Sequence, residues 1–423
     1  MDLPKGWAQA PLNLLLAYEQ PQKYIVSSTD YNDSYQTPVL TAGKSFVIGY
    51  TNETEGIYSE NLPVIIFDDF TTATQFVTFP FKVKSSAMKM LNITYHHLNI
   101  KCLFYRMQTI RHNTTTHKRY WISDYSKAII ELPPLAEQDR IVAKVDALFS
   151  KLDKGVETLH TLRQQLKTYR QAVLKQAFNE KDWELATIEQ FLTQDRRPMA
   201  TGPFGTMLKK HEHQQSGVPV LGIENIGAGK FKPNNKIFVT AEKAEDLKSF
   251  MLRSDDIIIS RSGTVGELCI VPAHMEGSLL STNLMRVTLD DEKILPKYFV
   301  YLFQSKGVVI DQVKELCKGS TRDFLNQNIL KKIKFPLPSI SIQTQVVAEV
   351  ESRLSLCDKL EDIVSENLEK SQALRQSILK KAFEGKLVPQ DPNDEPAEIL
   401  LERIKAEIAT VAPPKSARRK KNG

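Results

Sequence analysis

Between residues 141 and 173, apolar side chains recur in steps of three and four: Ile141, Val145, Leu148, Leu152, Val156, Leu159, Leu162, Leu166, Tyr169 and Val173. That spacing is the seam of a coiled-coil helix. It returns at Val346, Val350, Leu354, Cys357, Leu360, Ile363, Leu374 and Ile378, with a polar patch near Asn367 and Ser371. Proline stands just before each run, where helices begin. About 40 residues at ~1.5 Å each make a rod of roughly 60 Å. Gly155 weakens the first helix by ~1 kcal/mol relative to alanine, so a bend is allowed there.

The two helices belong to an internal repeat. The stretch Leu132-Pro133-Pro134-Leu135-Ala136-Glu137-Gln138 aligns with Leu337-Pro338-Ser339-Ile340-Ser341-Ile342-Gln343, and the alignment continues without a gap to Ala177-Phe178 and Ala382-Phe383. Sixteen of the 50 positions from 132 to 181 are identical, several times what chance supplies. They include Gln138/Gln343, Asp153/Asp358, Arg170/Arg375 and Leu174-Lys175/Leu379-Lys380. Before each helix lies a block of strand-like runs rich in Gly, Pro and Asn, opened by Trp7 in one half and Trp183 in the other.

The expected fold is therefore α+β. Two globular heads are separated by two long antiparallel coiled-coil helices in a pseudo-two-fold repeat. The boundaries read 1–131 for the first head, 132–181 for the first helix, 182–336 for the second head, 337–386 for the second helix, and 387–423 for the tail. In the tail, a helix is expected near Pro396 with Asp394 as N-cap. Its apolar face, Leu400, Leu401 and Ile404, is expected to dock on a partner. The basic end, the last ten residues, is expected to be a disordered arm.

Charge narrows the partners only slightly. Of 423 residues, 56 are Lys or Arg and 50 are Asp or Glu, a formal charge of +6. Nucleic acid is permitted but not required. Cys102, Cys269, Cys317 and Cys357 stand far apart, which fits a reducing cytoplasm and no zinc site. No apolar run reaches the ~18 residues of a membrane helix, and Met1-Asp2-Leu3-Pro4-Lys5 carries no secretory pattern. His96-His97 and His211-x-His213 lack an obvious third ligand, so no metal is expected. Ala42-Gly43-Lys44-Ser45 is not a phosphate loop, because position 38, where the pattern needs Gly, is Pro. Neither an Asn/Asp-Pro-Pro-Tyr/Phe run nor a Phe-x-Gly-x-Gly stretch marks a methyltransferase.

Several stretches together resemble the specificity subunits of type I restriction–modification systems. They are LPPLAEQDRIVAKVDALF (Leu132 to Phe149), AFEGKLVPQDPNDEPAEILLERI (Ala382 to Ile404), and, in the second head, TGPFGTMLKK, GVPVLGIENI, DDIIISRSGTVG and KGSTRDFLN. The first head lacks the GPFG and SRSGTVG stretches and resembles a different type of recognition domain, with PVLTAGKSFVIGYT and IIFDDFTT. The resemblance implies a non-catalytic subunit whose two heads each read half of a split, asymmetric DNA target. It implies two modification subunits that methylate adenine with S-adenosylmethionine, and restriction subunits that cleave DNA using ATP and Mg. No cofactor is expected in this chain, and no membrane.

Ordering the heads by their apolar runs sets Pro38-Val39-Leu40 against Pro219-Val220-Leu221, Ile65-Ile66-Phe67 against Ile257-Ile258-Ile259, and Lys84-Ser85-Ser86 against Leu280-Ser281-Thr282-Asn283. On that register Asp68-Asp69-Phe70-Thr71-Thr72 fills the loop that Arg261-Ser262-Gly263-Thr264 fills in head two. Arg261 suits a bidentate grip on guanine or phosphate. Asp68 and Asp69 have three readings. They accept from cytosine N4 or orient a reading loop with Thr71 and Thr72; they cap a structural turn; or they catalyse, for which further acids or a His are missing. Lys82, Lys84 and Lys89, with Ser85 and Ser86, are either phosphate contacts or solvated lysines of a half-exposed strand. Gly202, Phe204 and Gly205 allow close backbone approach to DNA, with Lys209 and Lys210 behind them. Asn225, Ser262, Thr264, Thr282 and Asn283 complete the second head's candidates, together with Lys318, Thr321 and Arg322. Lys118 and Arg119 are the counterparts of that last group in head one, where Lys44 is a further candidate.

Three other functions compete. A subunit of a related system that cuts on both sides of its site would have the same architecture. A helical scaffold with protein-binding heads would lack steep salt dependence of duplex binding. A self-contained methyltransferase or nuclease would turn over without partners.

Overall fold

The computed structural model describes residues 3–43, 45–111, 118–178, 182–204, 207–227, 229–317 and 324–411. The chain divides into two compact units. One takes the chain up to Thr158 and again from Asn367, and the other is Leu159–Glu366. Two helices of 44 residues, Leu135–Phe178 and Ile340–Phe383, each contribute to both units. The first runs unbroken through Gly155.

Within each unit the helical segments pack antiparallel. In the first, Ile141, Val145 and Phe149 share a core with Ile378, Leu379 and Ala382. In the second, Arg170 bonds Asp358 at 2.6 Å and Arg353 bonds Gln176 at 2.8 Å. The repeat's identical residues thus pair across copies. Arg170 of copy one meets Asp358 of copy two, and Arg375 meets Asp153. The second pair is well exposed, so it adds at most a fraction of a kcal/mol, roughly 0–1.

Three expected seam residues lie outside the seam: Tyr169, Ile363 and Leu374 are each about half exposed. The buried or half-buried positions are instead Arg170, Val364 and Ser371. Cys357, Val364, Ser371 and Ile378 keep the seven-residue step. Heptad register, not the apolar character of a neighbour, decides which side chain faces the partner helix.

Head one contains β1 (Ala8–Pro11), β2 (Leu16–Glu19), β3 (Thr37–Leu40), β4 (Val47–Thr51), β5 (Val64–Asp68), β6 (Thr74–Val77), β7 (Lys82–Val83), β8 (Met88–Ile93) and β9 (Ile129–Leu132). Head two contains β10 (Leu185–Thr187), β11 (Met199–Thr201), β12 (Val218–Leu221), β13 (Ile226–Gly227), β14 (Lys230–Phe231), β15 (Ile237–Val239), β16 (Ile257–Ser260), β17 (Leu268–Ile270), β18 (Leu279–Leu280), β19 (Leu284–Val287) and β20 (Lys334–Pro336). The sheet orders correspond one to one. They are β2-β8-β5-β6 and β11-β19-β16-β17, β4-β3-β7 and β15-β12-β18, and β1-β9 and β10-β20. Even the parallel pairings match, β3 with β7 and β12 with β18. The β13-β14 hairpin has no counterpart among the described residues of head one.

The central strand β5 reads as an unbroken apolar run because both its faces are covered. Ile65 and Phe67 enter one core cluster, Val64 and Ile66 another. Helix Ile100–Met107 in head one and helix Pro296–Gln304 in head two tie each head to a long helix by the same device. The buried Gln138 amide accepts from Asn99 N (3.2 Å) and donates to Pro133 O (3.0 Å). Gln343 accepts from Leu295 N (2.9 Å) and donates to Pro338 O (2.8 Å) and Lys293 O (2.9 Å). Lys101–Asp146 and Lys297–Glu351, both 2.7 Å, repeat the correspondence.

The tail corrects an expectation. Helix Ala397–Val411 docks on the chain's own first head: Ala397, Leu400, Leu401 and Ile404 are buried with Leu12, Leu15 and Trp121. That face is used up inside the unit and is not left for a partner. Asp394, expected as a cap, pairs with Arg140. The second long helix stops at Gly385 (φ 68°), where Gly385 N bonds Ala382 O and Lys386 N bonds Lys381 O, a left-handed C-terminal cap. A Cβ at Gly385 would stand 2.6 Å from Pro4 Cγ. The expected basic arm beyond residue 411 lies outside the described residues.

Gln343→Ala leaves one N–H and two carbonyls of the head–helix joint unpaired. The expected cost is roughly 3 kcal/mol, read as an earlier urea transition. An unchanged midpoint would show that the joint does not depend on the amide.

Candidate nucleic-acid interface

In head two, one arginine draws four loops together. Past the end of β16, Arg261 N donates to Asn283 O (2.9 Å), and Arg261 O accepts from Leu325 N (3.0 Å). Its side chain is buried and donates from Nε to Leu325 O and from Nη1 to Thr282 O, both at 3.3 Å. The guanidinium also lies 4.5 Å from the Phe324 ring centre and 5.7 Å from that of Phe204. No ion pair forms with it among the described residues, and burial alone pulls its pKa below the ordinary arginine value. Thr282 Oγ1 donates to Pro203 O (2.8 Å), and Ser262 Oγ donates to Asn283 Oδ1 (3.2 Å). Gly202 is required by close approach, since a Cβ there would stand 1.9 Å from Ser281 O. The resulting rim exposes Phe204, Thr264, Thr282 and Asn283, with Lys209 and Lys210 also exposed further along the chain.

Head one ties the same knot around an aspartate. Asp69 N donates to Ala87 O (2.9 Å), and Asp69 O accepts from Tyr120 N (2.9 Å). Pairing of β5 with β8 and of β16 with β19 makes Asp69 the counterpart of Arg261, and Ala87 that of Asn283. Asp69 Oδ1 accepts from Trp121 N (2.7 Å), and Oδ2 lies 3.2 Å from Lys89 Nζ. Both side chains of this ion pair are about 1 % exposed. Lys89 also sits over the Tyr18 ring at 4.8 Å. Asp68 turns the chain: its Oδ1 accepts from Phe70 N (2.9 Å) and Thr71 N (3.0 Å), and Asp68 O accepts from Thr72 N (2.9 Å). Thr72 takes the left-handed conformation, φ 59°. Around this knot Thr71, Ser86, Lys118 and Arg119 are exposed, and Thr72 and Ser85 are half-buried.

A relative from Escherichia coli, the EcoR124I/EcoR124II type I restriction enzyme specificity subunit, is 31% identical over 379 residues, covering 86% of this chain and 90% of its own. The chain belongs to the type I restriction enzyme specificity subunits. The family model described as type I restriction modification DNA specificity domain matches residues 181–370. The MjaVIII specificity subunit of Methanocaldococcus jannaschii is 23% identical over 422 residues, covering 92% of this chain and 94% of its own. A chain from a solved structure concerned with complex assembly and conformational transition of the type I R-M system aligns at TM-score 0.65 and 17% identity. That alignment covers 91% of this chain and 100% of the other, and it speaks for the fold.

For this specificity subunit, the register set by the apolar runs places the DD loop and the RSG loop at the same point of one scaffold. It does not place the charges outward. Asp69 is buried, and Asp68, half-buried, is spent on its turn, where its Oδ1 holds Phe70 N and Thr71 N. Lys89 is sealed in with Asp69. Lys82 is buried, bound to Glu53 at 2.9 Å and to Glu55 O at 2.7 Å. Asn225 is buried, bonded to Gly222 N, Lys232 O and Asn235 Oδ1. Arg261 is buried and gives its Nε and Nη1 donors to carbonyls. These six side chains bond within the chain, and the buried charges among them, Asp69, Lys82, Lys89 and Arg261, are each paired or hydrogen-bonded, as burial requires. Lys84 and Ser262 remain at the surface, the second half-buried. Lys118 is exposed but bound to Asp124 at 2.6 Å, which raises its pKa. Lys44, Gly205, Lys318, Thr321 and Arg322 lie outside the described residues. Sequence reading missed Trp121 and Phe324. Nothing in a linear pattern links Trp121 to a carboxylate 52 positions earlier.

Lys89→Met strands the Asp69 carboxylate and should cost roughly 3–5 kcal/mol. Adding Asp69→Asn should recover a large part of that in a thermal-unfolding double-mutant cycle; strictly additive losses would mean that the pair is not coupled. Arg261→Lys keeps the charge but loses the planar fork. Duplex affinity should fall by roughly ten- to a hundredfold, and the unfolding temperature should fall as well, because the lost hydrogen bonds cost about 1–3 kcal/mol of stability. Wild-type affinity in a gel-shift titration would remove Arg261 as the organiser of the rim.

Proposed function

We propose that this specificity subunit reads a two-part, asymmetric duplex target, one half with each head, and that partner subunits supply all the chemistry. One observation carries the reading: the two heads tie the same backbone knot around residues of opposite charge, Asp69 and Arg261. A shared scaffold with unlike rims is what reading two different sequences demands. The exposed rim hydroxyls and amides, Thr71, Ser86, Thr282 and Asn283, have the donor and acceptor groups that base edges call for. Exposed lysines beside them suit phosphate, which fixes position without carrying sequence.

The partners in this reading are two modification subunits that methylate adenine with S-adenosylmethionine, and restriction subunits that use ATP and Mg. The chain itself holds no cofactor and acts in the cytoplasm. Methylome sequencing of cells with and without this chain and its modification subunit reveals the target directly. Replacing residues 183–335 by the second head of another family member should change one half of that target and leave the other intact. A change in both halves would sink the independent-reader scheme. Methyl transfer or cleavage by the purified chain alone would sink the non-catalytic assignment.

A further inference from the structure

Head two holds a basic cavity that the reading rim does not use. Its volume is about 660 Å³, and five cationic side chains line it: Arg196, Arg197, Lys248, Arg253 and Arg286. Phe204, whose ring faces Arg261, lines its edge, so the cavity adjoins the rim.

The cations are held in place rather than neutralised. Arg286 is buried and donates to Met251 O (3.0 Å), Ser249 O (3.4 Å) and Arg197 O (2.8 Å), none of them charged. Burial, and the neighbouring Arg196 next, lower its pKa to about 10. Arg196 is matched by the buried Asp256, which also accepts from Thr288 Oγ1 (2.6 Å) and Arg253 N (2.7 Å). Lys248 pairs on the surface with Glu245. Arg197 and Arg253 are exposed and form no ion pair among the described residues. The Nε donors of Arg196 and Arg286 are buried with no acceptor. Such donors are uncommon in a finished core. One carboxylate below and Glu276 on the lining leave a net positive cavity.

We propose that this cavity binds a phosphate group. Guanidinium forks match phosphate oxygens two at a time, and arginine predominates where that geometry matters. The proposal rests on the DNA reading above for one source of the phosphate, the duplex backbone beside the second half-site; the other source is a free phosphate-bearing ligand. Among the described residues the site has no counterpart in head one. By strand register, the counterpart of Arg286 in head one is Met90 and that of Ala200 is Glu19. The two half-sites are therefore gripped unequally.

The test uses the full-length chain carrying Arg197→Ala with Arg253→Ala, both exposed, after confirming an unchanged unfolding temperature. Affinity for a duplex containing the target and for a scrambled duplex is measured from low to high NaCl, and inorganic phosphate is titrated by calorimetry. A backbone phosphate predicts an equal loss, about tenfold, for both duplexes. It also predicts a shallower slope of log affinity against log salt, by about one for each phosphate that the variant no longer grips. A free ligand predicts phosphate binding by the wild type that the variant lacks, with an unchanged duplex slope. An unchanged slope together with no phosphate binding overturns the proposal. If the wild-type chain binds no duplex at any salt, the DNA reading fails, and the phosphate titration alone decides the cavity.

Discussion

The structure of each head turns on one residue at the end of its central strand. That residue donates its N–H to one loop and offers its carbonyl to another, and its side chain fastens what remains. In head one the side chain is an acid that accepts from Trp121 N and holds Lys89; in head two it is a base that donates to Leu325 O and Thr282 O. Both charges are taken out of water, which costs several kcal/mol per ion unless partners are well placed. Lys89 and Trp121 N in head one, and two backbone carbonyls in head two, supply those partners and fix the loops around them. Exchanging the two residues would reverse donor and acceptor at every side-chain bond. The rims differ because their knots differ.

The same economy governs the frame. A repeat that folds twice puts each shared residue in two equivalent environments. Gln138 and Gln343 join head to helix by the same bonds, and the Arg/Asp pairs cross between copies. Identity was retained at these positions in the repeat while most of the helix surface diverged. The differences collect where a head meets solvent: the β13-β14 hairpin and the arginine-lined cavity belong to head two, with no counterpart among the described residues of head one.

Function follows from this division of labour. Four of the charged candidates, Asp69, Lys82, Lys89 and Arg261, are buried and fix loops. Phe204 apart, residues left at the rim are polar and hydroxyl-rich, with lysines and arginines beyond them. A reader of DNA needs that separation, because a base-contacting side chain must be presented rigidly and yet remain unsatisfied by its own protein.

The helices, the repeat, the α+β class and the register between the heads were legible in the sequence, because they depend on local periodicity and on spacing that a chain displays linearly. The loop correspondence of Asp69 with Arg261 was legible for the same reason. Burial was not. Nothing local showed that of the two carboxylates after Phe67 the second, Asp69, stays inside. That was decided by Lys89, across the β5-β8 pair, and by Trp121, half a head away along the chain. The heptad drift at Ile363 and Leu374, and the docking of Leu400, Leu401 and Ile404 on the chain's own first head, were likewise settled by which surfaces meet. An apolar face or a charge can be read from sequence, but its partner is chosen by tertiary packing, and the partner determines whether the group is framework or contact.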